Sequence, residues 1–307
     1  MIKRNGWRIF LPVIITVKVA VIIFLIMGWG SSEDPVLIEK REVVRYKSVD
    51  IPDFVVFAGE PAPLGRFDVK EALDRELLVN SYFHSQTLRL IKLAPRYFNI
   101  IEPILKEKGI PDDFKYLAVA ESGLDPRAVS PAGAVGLWQF LRGTAREYGL
   151  EVSSEVDERY HVEKSTYAAC DYMLEAFVKY GNWTMVAASF NAGMNGINRQ
   201  IERQKNNSYY NLLLGQETQR YVFRVLALKL ILDDPVKYNF DVPEKEKYPD
   251  ILTREIKICG RVDNFADFAQ EQGINYKLLK DFNPWLRDNY LTNTQQREYT
   301  VKIPVLN

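Results

Sequence analysis

Between Phe67 and about Asp234, apolar side chains return at three- and four-residue spacing. The stretches Val69 to Tyr82, Gln86 to Leu93, Tyr97 to Lys108, Asp113 to Glu121, Lys164 to Tyr180, Trp183 to Ala192 and Glu217 to Leu232 all carry this pattern, which puts the apolar residues on one helical face. Strand-like alternation is scarce there. Breakers fall between the helices at Gly109-Ile110-Pro111, Ser130-Pro131-Ala132-Gly133 and Gly181-Asn182, so the segment predicts a mainly α, compact domain over 67–235. After Asp233-Asp234-Pro235 the pattern changes. Residues 236–250 are rich in Pro, Glu and Lys and read as a linker. Residues 251–307 then read strand, helix, helix, strand: Arg254 to Cys259 alternates, Asn264 to Gln272 and Tyr276 to Phe282 are helical, and Glu298 to Pro304 alternates again. Residues 31–66, punctuated by Pro52, Pro61 and Pro63, read as a linker or extended lead-in.

The first thirty residues have a different character. Lys3, Arg4 and Arg8 precede an almost unbroken apolar run from Ile9 to Trp29, and Glu33 and Asp34 follow it. The run is long enough to span a bilayer, although a lysine at its middle, Lys18, costs about 3 kcal/mol on insertion scales. It parses equally as a cleaved signal, with Val19 to Met27 as the apolar core and Gly28 and Gly30 at the cleavage site. A signal anchor and a signal peptide therefore both stay open for 1–30. Under either, the rest of the chain is exported, and the N-terminal segment contacts the cytoplasmic membrane. No cysteine follows the apolar run, so a lipoprotein anchor is not expected. Cys170 and Cys259 fall in different segments and do not suggest a disulfide framework. The 40 basic residues balance 40 acidic ones, which argues against nucleic acid as a partner.

The chemistry concentrates on one carboxyl. Phe114, Leu117, Ala118 and Glu121 lie at i, i+3, i+4 and i+7 of one predicted helix, so the glutamate shares the apolar face. Burial and the negative end of the helix both favour its neutral form, and a neutral carboxylic acid is what protonating a glycosidic oxygen requires. Periodicity alone leaves open that Glu121 turns outward to water. Glu217, Tyr221 and Arg224 stand at i, i+4 and i+7 as a polar stripe on another helix, facing either a groove or solvent. Gly133 and Gly136 allow a tight turn or a close approach to a sugar chain. Trp138 suits sugar stacking and core packing equally. Asp125, between a glycine-containing turn and Pro126, is expected to cap or turn the chain. His84 and His161 are isolated in sequence and read as helix or loop surface, so neither a metal nor another cofactor is expected.

Four segments carry a family resemblance. Ala120-Glu121-Ser122-Gly123-Leu124-Asp125-Pro126 is followed by Gly133-Ala134-Val135-Gly136-Leu137-Trp138-Gln139-Phe140, then Ser189-Phe190-Asn191-Ala192-Gly193, then Glu217-Thr218-Gln219-Arg220-Tyr221-Val222. In order and spacing they resemble the soluble-lytic-transglycosylase-like domain of lytic murein transglycosylases. The tryptophan in the second segment is similar to the membrane-bound type D branch. The resemblance implies a lysozyme-like helical catalytic domain over 67–235 that cleaves the β-1,4 bond between N-acetylmuramic acid and N-acetylglucosamine in peptidoglycan strands. It implies Glu121 as acid and then base, with no second carboxylate, and Ser122, Gly136, Gln139, Asn191, Glu217 and Tyr221 at the substrate. Phe190 departs from the family's tyrosine. Hydrolases of this kind usually need two carboxylates. The family instead uses the sugar's own 6-hydroxyl and leaves a 1,6-anhydro end. A lysozyme-like hydrolase and a non-catalytic wall-binding protein are the rival readings. The strand-helix-helix-strand order of 251–307 resembles a LysM module, although Gly260-Arg261-Val262-Asp263-Asn264-Phe265 replaces that family's usual first turn, and the likeness implies affinity for the glycan.

Overall fold

The computed structural model describes residues 48–306. The readings for 1–30 and for the start of the lead-in lie outside the described residues. A two-residue hairpin, β1 (Val56–Phe57) and β2 (Glu60–Pro61), precedes helices α1 (Phe67–Tyr82), α2 (His84–Lys108), α3 (Lys115–Ser122), α4 (Arg142–Glu147), α5 (Val162–Tyr180), α6 (Trp183–Ala192), α7 (Met194–Gln204) and α8 (Gln216–Asp233). The C-terminal module follows as β3 (Thr253–Ile258), α9 (Phe265–Glu271), α10 (Tyr276–Phe282) and β4 (Tyr299–Pro304). The mainly α domain with a βααβ module is thus as the pattern predicts. Among the described residues, no helix is long and apolar enough to cross a membrane. Cys170 is buried and Cys259 exposed, and neither is in a disulfide.

Helix α8 organises the helical domain, with α1 and α3 packed along it and α6 against its side. Its Val222, Val225, Leu226, Ala227 and Ile231 are fully buried, which explains why a helix with a polar first turn holds its place. Where two helices are expected between Gln86 and Lys108, the structure has one, α2, running through Pro95 and Pro103. An internal proline costs a helix about 3 kcal/mol. Burial of Leu90, Ile91, Leu93, Ala94, Ile101, Ile104 and Leu105 along this helix outweighs that cost, at about 1.5–3 kcal/mol for each large side chain.

The lead-in and the linker are both bound to this body. Val49, Val55, Phe57 and Ala62 enter the main core, with the Phe57 ring 5.2 Å from that of Phe114. Glu60 caps α6, accepting from the Trp183 and Thr184 amides at 2.5 and 2.9 Å. In the Pro, Glu and Lys-rich stretch, Tyr238 and Phe240 are buried, and the Tyr248 amide donates to the Lys92 carbonyl of α2 at 2.8 Å. Its charged residues face water while its aromatic residues anchor it.

In the module, β3 and β4 pair antiparallel with Thr253 opposite Pro304. Asn264 and Asn275 cap α9 and α10, accepting from the Ala266 and Leu278 amides at 2.8 and 2.9 Å. Phe265, Leu279, Leu286 and Val301 form its centre, and Val135, Val156 and Tyr160 of the helical domain belong to the same cluster.

Candidate active site

Glu121 is the penultimate residue of α3. The helix begins after a 3-10 turn at Asp112–Phe114 and stops at Gly123, whose φ of 60° ends it in the left-handed conformation. A side chain at 123 would meet the Gln86 amide at 2.7 Å, so glycine permits both the turn and the contact with α2. Leu117 and Ala118 are fully buried, and they fix the face on which the glutamate lies.

The Glu121 carboxyl is half-buried and turned toward α8, where the Tyr221 hydroxyl donates to its Oε1 at 2.6 Å. Burial raises this carboxyl from the ordinary 4.5 to about 7, against the lowering pull of the Tyr221 hydrogen bond and of the Arg224 charge. The negative charge of Glu217 adds a smaller upward push. Tyr221 is itself buried, and its phenol is held well above its ordinary value, first by burial and then by the neighbouring Glu121 charge. It is therefore a neutral donor across the physiological range.

The stripe on α8 divides. Glu217 is exposed and accepts from Arg224 Nη1 at 2.9 Å, while Tyr221 points inward. Asn191, at the C-terminal end of α6, accepts from Thr218 Oγ1 at 2.8 Å, and this bond ties it to the same helix. Ser122 donates to the Ala118 carbonyl within its own helix at 3.0 Å. Gln139 has a φ of 51°, and its Nε2 donates to the carbonyls of Gly136 and Ala128 at 2.8 and 3.3 Å, so it pins the loop on which it sits. Among the described residues, the structure joins Glu121 and Tyr221 directly and Asn191 to α8 through Thr218. It shows no hydrogen bond between Glu121 and either Ser122 or Gln139.

Gly136 requires glycine for an internal reason. Its φ is 81°, and a Cβ there would lie 1.9 Å from the Arg159 carbonyl oxygen, so the close backbone approach is within the protein. Of the two uses open to Trp138, the structure takes the core one, with the ring buried and Nε1 donating to Thr166 Oγ1 at 2.8 Å. Phe190 packs edge-on against Trp138, Phe140 and Tyr172, an aromatic nest in which a hydroxyl is not needed. Asp125 turns the chain as expected, accepting from the Arg127 amide at 2.9 Å. His84 is on the surface. His161, by contrast, caps α5 and stacks on Trp285 with ring centres 5.7 Å apart, at a junction that no sequence pattern announces.

Sequence reasoning passed over Glu76. It is fully buried on α1 and accepts from Arg220 Nε at 2.7 Å, with Arg224 Nε 3.9 Å from its other oxygen. The signal was present, since Val69, Leu73, Glu76 and Leu77 share one apolar stripe in the same way as the residues around Glu121.

The chain is similar to known proteins along two stretches. The Transglycosylase SLT domain family matches residues 98–213, and the soluble lytic transglycosylase C-terminal LysM-like domain matches residues 254–307. Membrane-bound lytic murein transglycosylase D of Escherichia coli K12 is 30% identical over 247 residues, which is 78% of this chain and 53% of that protein. The chain thus spans about half the length of the curated relatives it matches. Two solved structures each match 50% of this chain and 26% of their own at 20% identity: an inactive mutant of lytic transglycosylase Slt from Pseudomonas aeruginosa, and the 70 kDa soluble lytic transglycosylase of Escherichia coli, with TM-scores of 0.38 and 0.37. The chain thus carries a stretch that matches the transglycosylase SLT domain over 98–213, followed by one that matches the LysM-like domain of the soluble lytic transglycosylase type over 254–307.

Proposed function

We propose that this chain is a peptidoglycan lytic transglycosylase with Glu121 as its single acid and base. The observation that carries this reading is the Glu121 carboxyl, raised to about 7 by burial and held by the neutral Tyr221 hydroxyl at 2.6 Å. A carboxyl in that range is protonated often enough to donate and ionised easily enough to accept the proton back. In the proposed cycle it protonates the oxygen bridging N-acetylmuramic acid to N-acetylglucosamine, and the bond to the anomeric carbon breaks. The 6-hydroxyl of the same muramic acid then attacks that carbon and yields its proton to the Glu121 carboxylate. A 1,6-anhydro end results, no water is consumed, and no second carboxylate is required.

Tyr221 orients the acid, Asn191 and Glu217 present polar groups from α6 and α8, and the resemblance adds Ser122, Gly136 and Gln139 as contacts to the substrate. The LysM-like module would add affinity for long glycan strands. The similarity to a protein named as membrane-bound supports an envelope location, on the periplasmic side, either anchored by residues 1–30 or released after their cleavage. Digestion of purified murein followed by mass spectrometry tests the reaction. Anhydromuropeptides from the wild type and none from Glu121→Gln are expected. Reducing-end products alone would make the chain a hydrolase, and an active Glu121→Gln protein would remove the acid from the scheme.

A further inference from the structure

The C-terminal module does not complete its core alone, because Val135, Val156 and Tyr160 of the helical domain share its cluster with Phe265, Leu286 and Val301. Backbone pairing joins the two. The Asp157 amide donates to the Trp285 carbonyl at 2.9 Å, the Arg287 amide donates to the Glu155 carbonyl at 2.7 Å, and Val156 bridges Leu286. Side chains add to the seam. The Thr292 amide donates to the Glu155 carboxylate at 2.6 Å, Arg297 and Tyr299 both donate to the Glu151 carboxylate at 2.7 and 2.9 Å, and the Arg287 guanidinium lies 4.0 Å over the Tyr160 ring. The strip 151–160 is therefore clamped along one side by the module.

The other side of that strip holds the Gln139 loop. Arg159 and Asp157 form a buried, two-pronged pair, with Nε to Oδ1 at 2.9 Å and Nη2 to Oδ2 at 2.7 Å. The remaining arm of Arg159, Nη1, donates to the carbonyls of Gly133 and Phe140, both at 3.1 Å. Its own carbonyl is the atom against which Gly136 is packed. Val135 and Phe140 close the loop by exchanging backbone hydrogen bonds at 3.1 Å. A loop without regular structure, bearing a non-glycine residue at a φ of 51°, keeps that shape only where its surroundings over-determine it. A buried ion pair is tolerated where its hydrogen-bonding groups are satisfied. Here two arms of the guanidinium grip the strip and the third grips the loop.

We propose that the C-terminal module is a structural part of the active site, positioning the Gln139 loop through the Asp157–Arg159 pair. This rests on the reading above only in taking Gln139 as a substrate contact. A module that solely recruits long strands would leave a short soluble substrate unaffected, whereas a module that shapes the loop alters turnover of any substrate.

The test uses the full chain. Glu151→Ala combined with Glu155→Ala removes side-chain anchors of the seam without touching either core or any residue placed at the site. Arg159→Lys cuts the tether while leaving the seam intact. In both, amide hydrogen exchange over 129–141 is expected to quicken about tenfold while β3 and β4 stay protected. Turnover of a soluble tetrasaccharide of alternating N-acetylglucosamine and N-acetylmuramic acid is expected to fall about fivefold or more, in step with turnover of murein. Unchanged exchange over 129–141 in the Glu151→Ala/Glu155→Ala protein overturns the proposal whatever Arg159→Lys does, as does a loss confined to murein. If the wild type cleaves neither substrate, the enzymatic reading fails by itself, and the exchange measurement still decides whether the module holds the loop.

Discussion

Replacing Glu121 with glutamine should abolish cleavage and, at the same time, stabilise the protein in alkaline but not acidic buffer. The carboxyl moves from 4.5, its ordinary value, to about 7 in the folded chain, a difference worth about 3 kcal/mol when the group ionises. Because Glu121 is half-buried, water trims this to about 2–3 kcal/mol. The folded state holds the proton more tightly than the unfolded one. The favourable contribution is therefore complete below about pH 4.5 and is lost as the pH rises through about 7. Glutamine has nothing to ionise, and its carbonyl still accepts from the Tyr221 hydroxyl. Urea unfolding of both proteins at constant ionic strength, from about pH 4 to about pH 8.5, should show the variant gaining about 2–3 kcal/mol on the wild type across that interval. A difference that stays flat with pH would mean that the carboxyl is solvated, and the account of a burial-raised acid would be wrong.

Three further outcomes follow from the geometry. Tyr221→Phe removes the donor 2.6 Å from Glu121, a bond that lowers the carboxyl, so a pH–rate profile should show the alkaline limb moving to higher pH. Turnover should fall about tenfold to a hundredfold, and a limb that moves to lower pH would contradict the assignment. Glu60→Ala deletes the acceptor for the Trp183 and Thr184 amides and should cost about 1–2 kcal/mol in urea unfolding; an unchanged midpoint would mean that the hairpin does not cap α6. Gly136→Ala drives a methyl to 1.9 Å from the Arg159 carbonyl. It should lower stability by more than about 2 kcal/mol and reduce turnover, whereas wild-type stability would show that the turn relaxes freely.

The parts of this fold that were legible are those where burial imposes a period. The α5, α6 and α8 helices are found close to their predicted bounds, because Ala169, Cys170 and Met173 on one, and Val222, Val225 and Leu226 on another, repeat along a buried stripe. Helix α7 escaped notice because Ile197 is its one buried residue, and α4 because six residues are too few to show a period. The join across Pro95 was hidden for the opposite reason, since a local signal for a break is overridden by packing that only the folded chain creates. Glu121 and Tyr221 were both named as candidates, each from its helical stripe taken together with the resemblance. Their contact across a hundred residues was not readable, and neither was the seam that brings Trp285 to His161. Periodicity gives the face a residue lies on and is silent about what faces it.

Glu76 and Glu121 make that last point in chemical terms, since both are glutamates on the apolar stripe of a helix and only their neighbours differ. Glu76 meets Arg220 at 2.7 Å and lies 3.9 Å from Arg224. Glu121 meets a phenol. Arg224 is the cation whose charge pulls Glu121 downward, yet its guanidinium is engaged by Glu217 at 2.9 Å and drawn toward Glu76. Were either carboxylate absent, Arg224 would have one fewer competitor for Glu121, and a guanidinium in direct contact would hold that carboxyl ionised at neutral pH. The proton on which the proposed reaction depends is therefore protected from a distance, by two carboxylates that engage Arg224 and so leave burial as the dominant influence on the third.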